Sequence, residues 1–164
     1  MHPNAALIER LYSSLNRHDA EAVAACYDAK ASFHDIAFDL DGRDEITAMW
    51  RMVASGDIRV TVAAIRADDN EGVASTVDDY TFRDTGRHVR NPIESRFRFR
   101  NGLILEHDDR CDPSAWAAMA LGGVKGFIAG RFRFFRKRTA LKKLDPFRHL
   151  AVPASAPGPR SKFG

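Results

Sequence analysis

The spacing of apolar residues changes period partway along the chain. Up to about residue 53 they recur every three or four positions, and from Ile58 onward they alternate. Leu7, Ile8, Leu11, Tyr12 and Leu15 follow Asn4, which reads as a helix N-cap. Asn16-Arg17-His18-Asp19 breaks that pattern. Asp19 then caps a second helix that buries Ala22, Val23, Ala25 and Cys26, with Tyr27 near its end. A short strand over 29–36 sets Ala31, Phe33 and Asp35 on one face, and 39–42 reads as a loop. Asp44 caps or opens a third helix with Ile46, Met49, Trp50 and Val53 on one side. Strands follow over 58–67 and 73–83, the second carrying Ala74, Thr76, Asp78, Tyr80 and Phe82 on one face.

The plainest local signal is Asn101-Gly102 between two alternating runs, which predicts a tight hairpin. On its first strand Ile93, Ser95, Phe97 and Phe99 share a face. On its second, Leu103, Leu105, His107, Asp109 and Cys111 do so. Pro92 lies inside the first strand, which predicts a sheet edge or a bulge there. A helical turn around Trp116 and Met119 closes the run. Helices first and hairpins after predict an α+β fold, a curved antiparallel sheet wrapped around N-terminal helices. The concave face of such a sheet is a natural pocket.

Charge divides the chain. Over 1–124 there are 14 Lys/Arg against 21 Asp/Glu, a net of −7, and over 125–164 there are 11 against one, a net of +10. We therefore expect a domain over 1–123, a basic helical extension over 124–150 and a Pro/Ser/Gly-rich flexible tail over 151–164. The extension mixes arginines with Phe127, Ile128, Phe132, Phe134, Phe135, Leu141 and Leu144, as an amphipathic helix kinked or ended at Asp145-Pro146. It can pack back on the acidic domain or across a homodimer, lie on an anionic membrane surface, or attract nucleic acid through charge alone. The first is the commoner fate of such runs, and no specific nucleic-acid site is read.

Other classes drop out. No apolar run is long enough to span a membrane, and Glu9 interrupts any signal-peptide core, so a cytoplasmic location is expected. Cys26 and Cys111 make neither a disulfide framework nor a metal motif. No Gly-rich phosphate loop, nucleophile elbow or Cys/His dyad is present, and no cofactor is expected.

The candidate chemistry lies in carboxylates placed on apolar walls. A buried carboxyl is costly unless paired, protonated or hydrated, and its pKa then rises toward the range useful for proton transfer. Asp35, Asp78 and Asp109 are such residues. The bland reading of Asp35 is a carboxylate capping the turn after its strand, and that of Asp78 and Asp109 is a pair neutralised by nearby arginines. His107 shares the face of Asp109 and can orient it, shuttle a proton or be a satisfied core histidine. Tyr80 can donate to a developing oxyanion. Phe33, Trp50, Phe82, Phe97, Phe99 and Trp116 can line a pocket for a ring-shaped molecule, or each can simply be core.

Three stretches, 11–35 (LYSSLNRHDAEAVAACYDAKASFHD), 42–50 (GRDEITAMW) and 97–116, together resemble the NTF2-like superfamily, nearest its SnoaL-like and ketosteroid-isomerase-like members. The likeness spans about residues 4–122 and implies a cone-shaped cystatin-like α+β domain. Ketosteroid isomerases carry a general-base Asp in a stretch similar to SFHDI, which falls on Asp35. Their oxyanion pair, a Tyr and a protonated Asp, falls on Leu11, with Tyr12 beside it, and on Ser95, or on Glu94 if the strand slips by one. Limonene-epoxide-hydrolase-like members use an Asp–Arg–Asp set. Its outer members fall on Asp109 and Asp78, and the Arg falls near Thr76. SnoaL-like cyclases use an acidic base that Asp35 or Asp109 can supply. The resemblance implies acid–base chemistry on a small hydrophobic cyclic molecule, as an isomerase, cyclase or epoxide hydrolase. The alternative is a non-catalytic ligand-binding domain or one that dimerises through its sheet face.

Overall fold

A computed structural model describes residues 1–123 and 133–149, with the backbone alone at 133–139. The expected tail over 151–164, and 124–132 and 150 of the expected extension, lie outside the described residues.

Helix α1 spans Pro3–Asn16, with proline in its first turn and His2 as N-cap. The cap is thus two residues earlier than the Asn4 expected. Asn4 instead sends its amide to the carbonyls of Asp68 and Asp69 at 2.8 and 3.2 Å, tying the helix to the β3–β4 turn. Asp19 does cap α2, Ala20–Ala24, by accepting from the Ala22 N–H at 3.0 Å. Strand β1 is Tyr27–His34 and begins earlier than predicted. Tyr27 opens it rather than ending α2, because its ring is fully buried in step with Ala31 and Phe33. The predicted loop contains a short strand β2, Asp39–Asp41, paired to β1 through Phe33 and Leu40. Helix α3 is Arg43–Ala54; Gly42 at φ 88° is its N-cap, and Asp44 sits in its first turn.

Strands β3 (Arg59–Ala67), β4 (Glu71–Phe82), β5 (Arg87–Arg100) and β6 (Leu103–Arg110) follow, then α4, Pro113–Leu121, and α5, Arg133–Arg148. The six strands form one curved sheet in the order β2-β1-β6-β5-β4-β3. Every pairing is antiparallel except β1 with β6, which is parallel. The α+β architecture is therefore as expected, with one parallel seam where the first strand meets the last. Asn101 and Gly102 both take left-handed backbone, at φ 53° and 74°, as a two-residue hairpin of this twist demands.

The sheet's register shifts between Tyr27 and Ser32 of β1, between Val62 and Ala64 of β3, and between Arg98 and Phe99 of β5, but not at Pro92. Around Pro92 the β4–β5 ladder is unbroken, and β6 pairs with β5 only from Glu94 onward. Pro92 therefore stands where one side of β5 is an edge and no donor is needed. The bulge between β5 and β6 falls farther on: Arg98 faces Glu106 and Phe99 faces Ile104, leaving Leu105 as the extra residue. This shifts the phase of β6. Ile104, not Leu103 or Leu105, is the fully buried residue before His107.

Ile8, Leu11 and Leu15 of α1 and Ile46 and Met49 of α3 pack with Phe33, Phe97 and Ile104 to form the core. Gly72 lets α1 approach the sheet, since a Cβ there would lie 2.9 Å from Ile8 Cδ1 and 3.0 Å from the Phe99 ring. Helix α5 packs back on the domain. Leu144 is fully buried, Arg51 donates to the Phe147 carbonyl at 3.4 Å, and Arg148 pairs with Glu45 at 2.8 Å. The helix runs through Pro146 to Arg148 rather than ending at Asp145-Pro146. No described helix is long and apolar enough to cross a membrane.

Candidate active site

The concave side of the sheet encloses a cavity of about 900 Å³. Phe33 of β1, Trp50 of α3, Phe82 of β4 and Trp116 of α4 form much of its aromatic wall. Phe82 and Trp116 meet edge to face, 5.4 Å between centroids. On the side of α5, Ala140, Lys143, Pro146 and Phe147 complete the enclosure. Spacings of three and four residues put them on one helix face. Lys143 is held there by Asp84 at 2.5 Å and lies 5.4 Å from the centre of the Phe82 ring.

Phe97 and Phe99 do not line the cavity. Both face inward, but they lie beyond it toward the hairpin turn, stacked on each other at 6.3 Å. Phe97 is core, 4.4 Å from the His107 ring, and Phe99 fills the space that Gly72 leaves open. Position along the strand, not its facing, separates them from the pocket.

The three candidate carboxylates, Asp35, Asp78 and Asp109, do reach the cavity, with Tyr80 among them, and Asp57 and Asp84 line it as well. Asp35 follows β1, and its Oδ1 accepts from the backbone N–H groups of Ala37, at 2.6 Å, and Phe38. It both caps the turn and faces the pocket. Burial pushes its pKa up to about 6; those two N–H groups oppose the rise and the charge of Asp109 adds to it. Among the described residues, the side-chain donor to Asp78 on β4 is the Thr76 hydroxyl, at 3.3 Å on the same strand. Burial, then the charge of Asp109, push Asp78 up to about 7. Asp109 on β6 is better served. Ser95 Oγ donates to its Oδ1 at 2.5 Å, and His107 Nε2 lies 2.8 Å from the same oxygen. Tyr80 accepts from the Trp116 indole N–H at 2.7 Å, which leaves its own O–H to donate, and burial pushes its pKa to about 12. Tyr80 is therefore a neutral donor at any ordinary pH.

His107 stands behind the wall rather than in it. It is fully buried, with Phe33 edge-on at 4.9 Å and its Nδ1 2.7 Å from the Tyr27 hydroxyl. Its hydrogen bond to the cavity wall is the one to Asp109. Among the described residues no arginine pairs with the three carboxylates: Arg110 pairs with Asp108 at 2.7 Å, and Arg98 with Glu106 at 3.4 Å.

Sequence reasoning missed Tyr12 and Tyr27. Tyr12, one residue from the position to which the resemblance assigns an oxyanion donor, is buried, with its hydroxyl 2.8 Å from Ser95 Oγ. Tyr27 was placed in a helix. Its even spacing from Ala31 and Phe33 is the signal that would have put it on the strand. Asn91, buried on the cavity wall opposite Asp78 in the ladder, was also missed; its position two before Ile93 is the signal that would have put it on the inward face. No group of His, Cys, Asp and Glu among the described residues is arranged to hold a metal ion.

The model of the SnoaL-like domain matches residues 8–107 of this chain. Solved structures share its fold. A protein of ketosteroid-isomerase-like fold from Catenulispora acidiphila, in complex with trimethylamine, is 14% identical, with a TM-score of 0.64 over 73% of this chain and 95% of that one. An LEH-like epoxide hydrolase from M. tuberculosis is 16% identical, with a TM-score of 0.63 over 77% and 96%. An NTF2-like protein of unknown function from Cytophaga hutchinsonii is 12% identical, with a TM-score of 0.58 over 69% and 93%. No curated protein sequence matches the chain.

Proposed function

The chain belongs to the SnoaL-like family of the NTF2-like superfamily, and from that premise we propose that it is an enzyme acting on a small, hydrophobic, cyclic molecule by carboxylate acid–base chemistry. The observation that carries the reading is the inequality of two carboxylates in one apolar cavity. Asp109 takes two side-chain hydrogen bonds on a single oxygen, whereas Asp78 is near its titration midpoint at neutral pH. Two carboxyls whose surroundings push their protonation apart are the usual basis of paired acid and base roles. Asp109 is the base, and protonated Asp78 is the acid.

Hydrolytic opening of a cyclic epoxide fits that pair best. Asp109 takes a proton from water as the water oxygen attacks a ring carbon. The C–O bond breaks, Asp78 gives its proton to the departing oxygen, and a diol results. Tyr80, with its O–H free to donate, steadies the charge on that oxygen. These steps call for no cofactor. Steroid-type isomerisation fits less well. Tyr12 and Ser95, at and beside the positions where such enzymes carry oxyanion donors, bond to each other and to Asp109 instead of facing the cavity. The epoxide-hydrolase likeness of one fold neighbour supports this reading without deciding it.

The test is turnover of a panel of cyclic epoxides, phenols and steroids. Binding is followed through Trp50 and Trp116, both on the cavity wall. We expect diol formation from at least one epoxide, abolished in Asp109→Asn and strongly reduced in Asp78→Asn. Saturable binding without turnover, at the same affinity in both variants, would make this a ligand-binding domain.

A further inference from the structure

Asp109 is the end point of two chains of buried hydrogen bonds. The first begins on α3. The Trp50 indole N–H donates to Tyr27 Oη at 3.1 Å, Tyr27 Oη lies 2.7 Å from His107 Nδ1, and His107 Nε2 lies 2.8 Å from Asp109 Oδ1. The second begins on α1. Tyr12 Oη lies 2.8 Å from Ser95 Oγ, which donates to the same Oδ1 at 2.5 Å.

Both directions can be worked out. An indole N–H can only donate, so Tyr27 Oη accepts from Trp50. Tyr27 and His107 are both fully buried. If His107 also donated to Tyr27, the phenol proton would be left without a partner, at a cost of about 1–3 kcal/mol. Tyr27 therefore donates to Nδ1, and a neutral imidazole that accepts at Nδ1 carries its proton at Nε2, aimed at Asp109. On the other chain a carboxylate only accepts, so Ser95 gives it the hydroxyl proton and takes one from Tyr12. Every donor points toward one oxygen.

We propose that Tyr27 and Tyr12, neither of which lines the cavity, are positioning residues that assign the base: they load both donor chains onto Oδ1 of Asp109, hold it as the carboxylate and leave Oδ2 to serve the cavity. Asp35 and Asp78 are then the carboxyls that take up protons. The inference rests on the reading of Asp109 as the base. The titratable groups around Asp109 are Asp35 after β1, Asp78 on β4, Cys111 after β6, Tyr12, Tyr27 and His107. Asp35, Asp78 and Cys111 bring no positive charge, and the donors that reach Asp109 are Ser95 and His107.

Nitrogen-15 NMR of the full chain with labelled histidine is the test, with the His107 ring signal assigned by its loss in His107→Gln. We expect a neutral ring protonated at Nε2 between pH 6 and pH 8. In Tyr27→Phe the ring should become a mixture of tautomers or pick up charge within that window. A ring protonated at Nδ1 in the wild type, or charged there, would overturn the proposal without any variant. So would a Tyr27→Phe ring that keeps its tautomer and its titration. The kinetic arm uses Tyr27→Phe and Tyr12→Phe. The rising limb of the pH–rate profile should move up by about one unit in each, a loss of about tenfold in kcat below the limb, with KM unchanged. An unmoved limb in both sinks the assignment. If no substrate turns over, the proposed activity fails, and the NMR arm still decides whether the chains point at Asp109.

Discussion

Asp109 and Asp78 face the same cavity from strands on either side of β5, and the regions behind them differ. Behind Asp109 lie α1, α3 and β1, which send Tyr12, Trp50 and Tyr27 into the core and end, through Ser95 and His107, on one oxygen. Asp78 has a hydroxyl from its own strand at 3.3 Å. Both carboxyls meet apolar surroundings at the front. What separates them is the layer behind the wall, so a list of cavity-lining residues would rank them as equals.

The comparison breaks most readily at Asp109. Asp109→Asn should lower kcat by about 10³-fold or more at every pH while circular dichroism stays native. Asp78→Asn should cost about 10²-fold, through loss of the acid. If the two losses come out reversed, so are the roles. A smaller effect sharpens the contrast. Ser95→Ala removes one of two donors to Asp109, and kcat at low pH should fall about tenfold.

Stability should separate the residues in the opposite sense. A carboxyl whose pKa is raised on folding stabilises the fold fully only below its unfolded value near 3.8, and loses that stability as pH rises through the folded value, about 7 for Asp78 and about 6 for Asp35. The urea midpoint should therefore be higher at pH 5.5 than at pH 8, and the gap should narrow in Asp78→Asn. At pH 8 that variant should be more stable than the wild type by about 1–3 kcal/mol. A gap unchanged by the substitution would mean that Asp78 is not the group that titrates.

Much of the fold was legible in local pattern. Asn101-Gly102, the alternation of β4 and β5 and the switch of period near residue 55 are features of neighbouring residues, and neighbouring residues decide them. Asp35, Asp78, Asp109 and Tyr80 could be placed on inward faces for the same reason. The rest depends on partners far along the chain. The extra residue Leu105 follows from how β6 fits the curvature of β5, and nothing in LILEH announces it. The parallel seam sets Phe33 beside His107, and only that seam brings Tyr27 within reach of the ring. The reach of Tyr12 to Ser95 was not legible, because a single helix shows which residues share a face, but not how far a phenol extends across the core.

Helix α5 carries its own consequence. The SnoaL-like match ends at residue 107, and α5 comes after it. The helix completes the enclosure, and two surface ion pairs, Lys143 with Asp84 and Arg148 with Glu45, help to seat it. Exposed pairs weaken as the Debye length shortens. If these pairs hold α5 over the cavity as a turnstile, adding salt should quicken both entry and exit of a ligand without changing the rate of any chemical step inside. Stopped-flow tryptophan fluorescence at low and high salt, in the wild type and in Lys143→Ala/Arg148→Ala, would show it as a salt dependence that the double variant has lost.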